Sequence, residues 1–332
     1  MDRHPIHFLA PQVADWDLTS LLETELDIDY PYWLGGAVAW TVQSYLILRQ
    51  HRENLTISTE PMLDRINIAH VSSWRQISSC VRCYKVSARA DYRRKYDVDF
   101  EILQNATNLK NSRQIYLPHW PSPRLKPRSA DRSGVENVAY AGELGVRNIA
   151  KSLKASDQVK GFRFLTIDRQ RWHDLSNVDV LIAIRDFSTK LFVDKPPTKL
   201  INAWHAGIPL IGGYDSAFSQ IGIPGVDYIR VRSESELEAA LQRLRDDPEY
   251  YSSIVEAGRV RSKEYTRESI AQEWLRAIDG PITDDWAAWQ SPRAWRTAQQ
   301  VRNRIFDSVL DKSSATKTRL RSLRHQEAPR SA

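Results

Sequence analysis

Short apolar runs of strand length alternate along this chain with longer stretches in which apolar residues recur every three or four positions. IHFLAP (6–11) predicts a first strand. After an acidic loop, DWDLTSLLETELDIDYPYW, the segment LGGAVAWTVQSYLILRQHR has helical spacing, with Gly35 and Gly36 at its mouth. NLTISTE, INIAHVS, SCVRCYKVSA and DFEILQNAT read as further short strands. RQIYLPHWPSPRLKPRSADRSG breaks the rhythm, and its prolines, serines and arginines predict a linker. A second α/β pattern follows: NVAYAGEL as strand and turn, GVRNIAKSLKASDQ as helix, GFRFLTID as strand. VDVLIAIRDF is apolar without alternation, as expected of a strand buried on both faces of a parallel sheet. DYIRVRS reads as one more strand. Beyond it, SELEAALQRLRDDPEYYSSIVEAGRVRSKEYTRESIAQEWLRAI predicts two or three amphipathic helices, opened by a capping pattern from Ser233 to Glu236 and broken at Asp247–Pro248.

Alternating strands and helices on both sides of a linker predict an α/β chain of two facing Rossmann-like, doubly wound domains. We place the first over 1–120, the linker over 121–136, the second domain over 137–280, a returning helical segment over 281–311 and a basic tail over 312–332. Ligands of such sheets bind at the carboxyl ends of the strands, which here means the cleft between the domains.

The most patterned stretch is DKPPTKLINAWHAGIPLIGG (194–213). Pro196 and Pro197 fix an extended approach and carry no N–H. Thr198 is then the expected N-cap of a helix over about 199–206. Gly207 is its stop, and Pro209 prevents continuation. IPLIGG predicts a buried strand ending in Gly212 and Gly213, where backbone can approach a ligand closely. The unpaired amides and positive dipole end at the helix start favour a phosphate. Lys199, with Lys195, adds full charge there. A departing nucleoside diphosphate gains negative charge as a glycosyl bond breaks, so these groups suit a transition state. Asn202, one turn on, is a candidate for a ribose hydroxyl, and Asp194 for sugar hydroxyls. The structural alternative is simply a well-capped helix in a Rossmann-like domain.

Taken with NVAYAGEL before it and the helical run after it, this stretch resembles the C-terminal donor domain of GT-B-fold glycosyltransferases. It is most similar to the group that includes retaining nucleotide-sugar enzymes. In those, a strand-loop-helix carries two glutamates eight residues apart, followed by a helix end A-x-x-A-G-x-P and a strand. NAWHAGIP matches the helix end, and the glutamate positions fall on Asp194, which keeps its charge, and Asn202, which does not. The resemblance covers roughly 137–280; over 1–136 it rests on arrangement only. It implies a nucleotide-diphosphate-sugar donor, a glycan, lipid or small-molecule acceptor, and no metal or other cofactor. It further implies Gly142 and Arg147 near the donor, Arg185 and Asp186 facing the cleft, and Gly35–Gly36 admitting the acceptor. DDWAAWQSPRAWRTAQQVRNRIF, with Trp286, Trp289 and Trp295, would cross back to the first domain.

Other features narrow the picture. Copies of D-x-D include Asp27–Asp29 and Asp97–Asp99, and the motif is so short that about one or two chance copies are expected. For a general base, His70 at the end of INIAH is the best-placed histidine. His119 between prolines, and Asp15 and Asp17, are the other options. No G-x-S-x-G elbow, Walker loop or complete G-x-G-x-x-G is present. Cys80 and Cys83 form a lone C-x-x-C, read here as reduced, packed thiols on opposite faces of a strand, which fits a cytoplasmic address. No apolar run of about 18 residues or signal-like core occurs. Of the net charge of +6, +5 lies in residues 312–332: six cations, Lys312 to Arg330, against Glu327. That leaves a near-neutral body and argues against nucleic acid as partner. A solvated tail, or weak contact with the inner face of an anionic membrane, accounts for the rest. A binding module of the same fold without turnover is the alternative function, and the missing second glutamate favours it.

Overall fold

The computed structural model describes residues 4–11, 20, 25–27, 35–80, 82–141, 160–290 and 298–313. Two sheets organise them. In the N-terminal sheet, β1 (Ile6–Leu9), β2 (Leu55–Ser58), β3 (Ile66–His70), β4 (Tyr84–Ala88), β5 (Phe100–Leu103) and β6 (Gln114–Tyr116) run in the order β2-β1-β3-β4-β5-β6. In the C-terminal sheet, β7 (Asn137–Ala141), β8 (Arg163–Ile167), β9 (Val180–Ala183), β10 (Leu210–Gly212) and β11 (Ile229–Arg230) run β11-β10-β9-β7-β8. Every strand pairing in both sheets is parallel. The strand order reverses between β1 and β3 in one sheet and between β7 and β9 in the other. Those are the switch points at which doubly wound sheets open a crevice.

Most helices fall in stretches read as helical, two short ones (74–78 and 216–221) do not, and the helix expected over GVRNIAKSLKASDQ lies outside the described residues. α1 runs from Gly36–Val38 through a π-helical stretch, Ala39–Gln43, to Ser44–Leu48. α2 is Trp74–Ser78, α3 Thr198–Ala206 and α4 Ser216–Ile221. α5 (Glu234–Asp246), α6 (Pro248–Ser262), α7 (Arg267–Ala277), α8 (Thr283–Gln290) and α9 (298–313) complete the set. Ser233 caps α5 by accepting the Glu236 N–H, and Asp247 caps α6 by accepting the Tyr250 N–H. The Glu236 carboxylate reaches the Arg232 N–H, so the capping box closes one residue early. In β9, Val180 and Ile182 pack to one face while Leu181 and Ala183 pack to the other, which explains its unbroken apolar run.

Three expectations change. The crossing back to the first domain starts at α7. Ile270, Trp274 and Ala277 sit in the N-terminal core with Phe8, Trp40 and Trp120, and the Trp120 and Trp274 rings stack at 6.1 Å. Residues 267–280 thus pack with the other lobe, because their apolar stripe completes its core. Gln114–Tyr116, read as linker, is the edge strand β6. Cys80 and Cys83 are joined by a disulfide, with Cα atoms 5.6 Å apart. α2 ends at Ser78 and β4 begins at Tyr84, so both cysteines lie in the intervening turn and not on a strand.

Candidate functional site

A cavity of about 420 Å³ opens between the two domains at the carboxyl ends of β7 and β9. Its N-terminal wall comes from Gly35 and Gly36 at the start of α1, Trp40, Ala90, Asp91, Gln104 and His119. The linker contributes Ser122, Pro123 and Arg124. The C-terminal wall carries Tyr140, Arg169, Trp172, Arg185, Lys195, Thr198, Lys199 and Asn202. Cations outnumber acids in this lining, and Asp91 is the one carboxylate among the described lining residues.

The start of α3 shapes the C-terminal wall. Pro197, not Thr198, occupies the N-cap position, and Thr198 is the first helical residue. The second proline ends the extended approach one residue earlier than expected, so the threonine hydroxyl does not cap the helix. Its Oγ1 is buried beside the cavity with no hydrogen-bond partner. At the other end Gly207 adopts φ 68°, the left-handed stop the sequence predicts. Lys199 lies on the first turn with its ammonium 5.1 Å from the centre of the Tyr140 ring. Burial, then the positive charges of Arg185 and Lys195, push its pKa down to about 7, and Asp215 opposes them only in part. Arg185, which follows β9, is oriented by the Asp215 carboxylate at 3.0 Å. Among the described residues no protein group forms a hydrogen bond or ion pair with the Lys199 ammonium.

The remaining expected residues separate into those at the cavity and those committed elsewhere. Gly35 has φ 101°, and a Cβ on it would sit 2.7 Å from the Arg169 guanidinium. Only glycine combines that backbone with that approach across the cleft. Asn202 lines the cavity, but its side-chain amide is bonded at both ends to Ser122, accepting from the backbone N–H at 3.0 Å and donating to Oγ at 2.7 Å. It pins the linker and is no free handle for ribose. Asp194 accepts from Asn108 at 2.6 Å and lies 3.7 Å from Arg89, both on the N-terminal domain. Asp186 closes a local turn with Ser188. Gly212 is a packing requirement, since a Cβ there would lie 2.9 Å from Phe218, and a Cβ on Gly213 would meet the Asp186 carbonyl at 3.4 Å. Asp97 and Asp99 of their D-x-D hold Lys85, through its ammonium and its backbone N–H. Gly142, Arg147, Asp15, Asp17 and Asp29 lie outside the described residues.

The two histidines differ in tautomer. The Ser72 N–H donates to Nδ1 of His70 at 3.2 Å, so the neutral ring carries its proton on Nε2. Burial holds its pKa down to about 4. His70 is therefore a neutral donor at Nε2. That buried Nε2 has no hydrogen-bond partner, and a Cβ on Gly36 would stand 3.7 Å from it. His119 is the reverse case: its Nδ1 donates to the Trp120 carbonyl at 2.9 Å, which leaves the lone pair on Nε2. It lines the cavity, and burial again holds it at about 4.

Tyr140, Asp91, Arg169 and Trp172 were not anticipated. The rule that ligands sit beyond the carboxyl ends of the strands, applied to the residues just after β8, would have flagged DRQRW. Nothing local marks Asp91, whose partner is 104 residues away.

Comparison with known proteins gives a fold. No family model and no curated protein sequence matches. Solved structures do. Sucrose-phosphate synthase from Thermosynechococcus elongatus superposes with a TM-score of 0.59 at 13% identity, covering 86% of this chain and 100% of that one. Anabaena HepE in complex with UDP and glucose superposes with 0.53 at 11% identity, covering 83% and 99%. TarM gives 0.50 at 8%, covering 72% of this chain and 59% of that one. With its two facing parallel sheets, the chain has the GT-B fold.

Proposed function

We propose, with the GT-B fold as premise, that this chain transfers a sugar from a nucleoside-diphosphate sugar to an acceptor held in the interdomain cavity. The observation that carries the reading is Lys199: an ammonium on the first turn of α3, in a cavity wall, flanked by two further cations and bonded to no protein anion among the described residues. A diphosphate is the complementary ligand. The N–H groups of Thr198 and Lys199 at the start of α3, the Thr198 hydroxyl and Arg185 belong to the same wall, while the next two amides are bonded to the Pro197 carbonyl. As the glycosyl bond breaks, charge grows on the phosphate oxygen, and donors already in place stabilise it without reorganisation. Tyr140 and Trp172 offer apolar faces beside it for the nucleoside. HepE, of the same fold, holds UDP and glucose.

On the opposite wall, Gly35–Gly36 gives the acceptor close access to backbone, and His119, whose Nδ1 donates to the Trp120 carbonyl, lines the same cavity. A hexosyl donor is the reading the resemblance supports. One observation favours a binding module without turnover: Asn202, at the position of the second glutamate of the resembling group, is tied to Ser122. Thermal-shift titration with UDP, GDP, ADP and dTDP sugars tests binding, because a ligand of the folded state alone raises the melting temperature. A shift with at least one donor is expected, and its loss in Lys199→Ala. No shift with any donor removes the proposal. Slow release of free nucleotide from the bound donor separates an enzyme from a binding module.

A further inference from the structure

The C-terminal wall carries a second lysine, Lys195, in different company from Lys199. Its ammonium is paired with the carboxylate of Asp91, which follows β4 on the opposite domain. Both residues line the cavity, and their side chains remain 33% and 43% exposed, so ligand can reach them. The backbone beneath Lys195 is fixed independently. Asn105 donates to the Lys195 carbonyl at 3.2 Å, and Gln104 donates to the Asp194 carbonyl at 2.7 Å. Only the lysine side chain therefore has to move for the pair to part. Lys195 is also close enough to Lys199 to act on its charge, so the two ammonium groups serve one region.

We propose that Asp91 is a positioning residue that acts through Lys195. Its carboxylate stands in for the donor's diphosphate in the free protein and yields the lysine to the diphosphate on binding. This rests on the donor reading above. A half-exposed pair of single charges is weak and exchanges readily. A diphosphate brings more charge than one carboxylate and meets Lys199, Arg185 and the α3 amides at the same time. The pair thus does two jobs. It keeps Lys195 extended across the cleft, and it sets how tightly the nucleotide is held.

The test is a double-mutant cycle on the full-length chain, with whichever of UDP, GDP, ADP and dTDP binds it most tightly. Asp91→Asn is expected to lower Kd about fivefold, because Lys195 is then uncompensated. Lys195→Met is expected to raise Kd, and the double variant to match Lys195→Met within about twofold. Asp91→Ser is the second removal should the asparagine variant fail to fold. The proposal is overturned if removing Asp91 leaves Kd unchanged or raises it, as a purely structural carboxylate would. It also falls if the double variant binds more tightly than Lys195→Met alone, since Asp91 would then repel the ligand directly. Absence of binding by the unmodified chain takes down the donor reading itself, and this one with it.

Discussion

Lys199 is held in a charge state that costs the fold. Its pKa is lowered to about 7 from an ordinary 10.5. Between those values the unfolded chain binds more protons than the folded one, so this residue's contribution to stability rises with pH across that window. Below about pH 7 the penalty is complete. Lys199→Met is therefore expected to melt higher than the unmodified chain while losing nucleotide binding. The gain should be about 2–4 °C, with the gap widest near pH 6 and closing toward pH 10; melting curves across that range measure it. Asn202 gives the opposite outcome. Asn202→Ala leaves the buried Ser122 N–H and hydroxyl without partners, for an expected loss of about 2 kcal/mol in denaturant unfolding.

Among elements, α7 is the piece whose destination was hardest to foresee. Trp274 meets Phe8, Trp40 and Trp120 in the N-terminal core. Trp274→Ala is expected to cost about 3–5 kcal/mol, and the loss should register in probes of the N-terminal sheet although the residue follows the second domain in sequence. What could be read from the sequence depended on how local the signal was. The turn at Gly207, the cap at Ser233, the helix break at Asp247–Pro248 and the buried run of β9 need only near neighbours, and all were legible. An amphipathic stripe looks the same whichever core it faces, so the 3.6-residue period predicted α7 and not its lobe. Gln114–Tyr116 was hidden because a three-residue edge strand before Pro118 carries too little pattern to stand out from a proline-rich loop. Lys199 could be placed from the sequence because the helix start and its charge sit together. The duty of Asn202 depends on Ser122, 80 residues away, and no spacing rule reports it.

At the scale of the whole molecule, the two domains meet at a cavity rich in positive charge, and the proposed diphosphate binding would be a protonation event. Burial lowers the Lys199 pKa to about 7, toward the neutral form, and a bound diphosphate would favour the charged one. Binding should then take up a fraction of a proton, at most about one. Calorimetric titrations at pH 8 in buffers of different ionisation enthalpy read that uptake directly. It should vanish in Lys199→Met if that variant retains residual binding.

The sharing of one core by both ends of the polypeptide bears on the order of assembly. A ribosome emits β1 through β6 first, yet Ile270, Trp274 and Trp286, which fill that lobe, emerge only after the whole second sheet has been made. The lobe translated first is thus completed last. Until its closing segment arrives, the nascent chain must carry an unfinished hydrophobic surface through the synthesis of well over a hundred further residues.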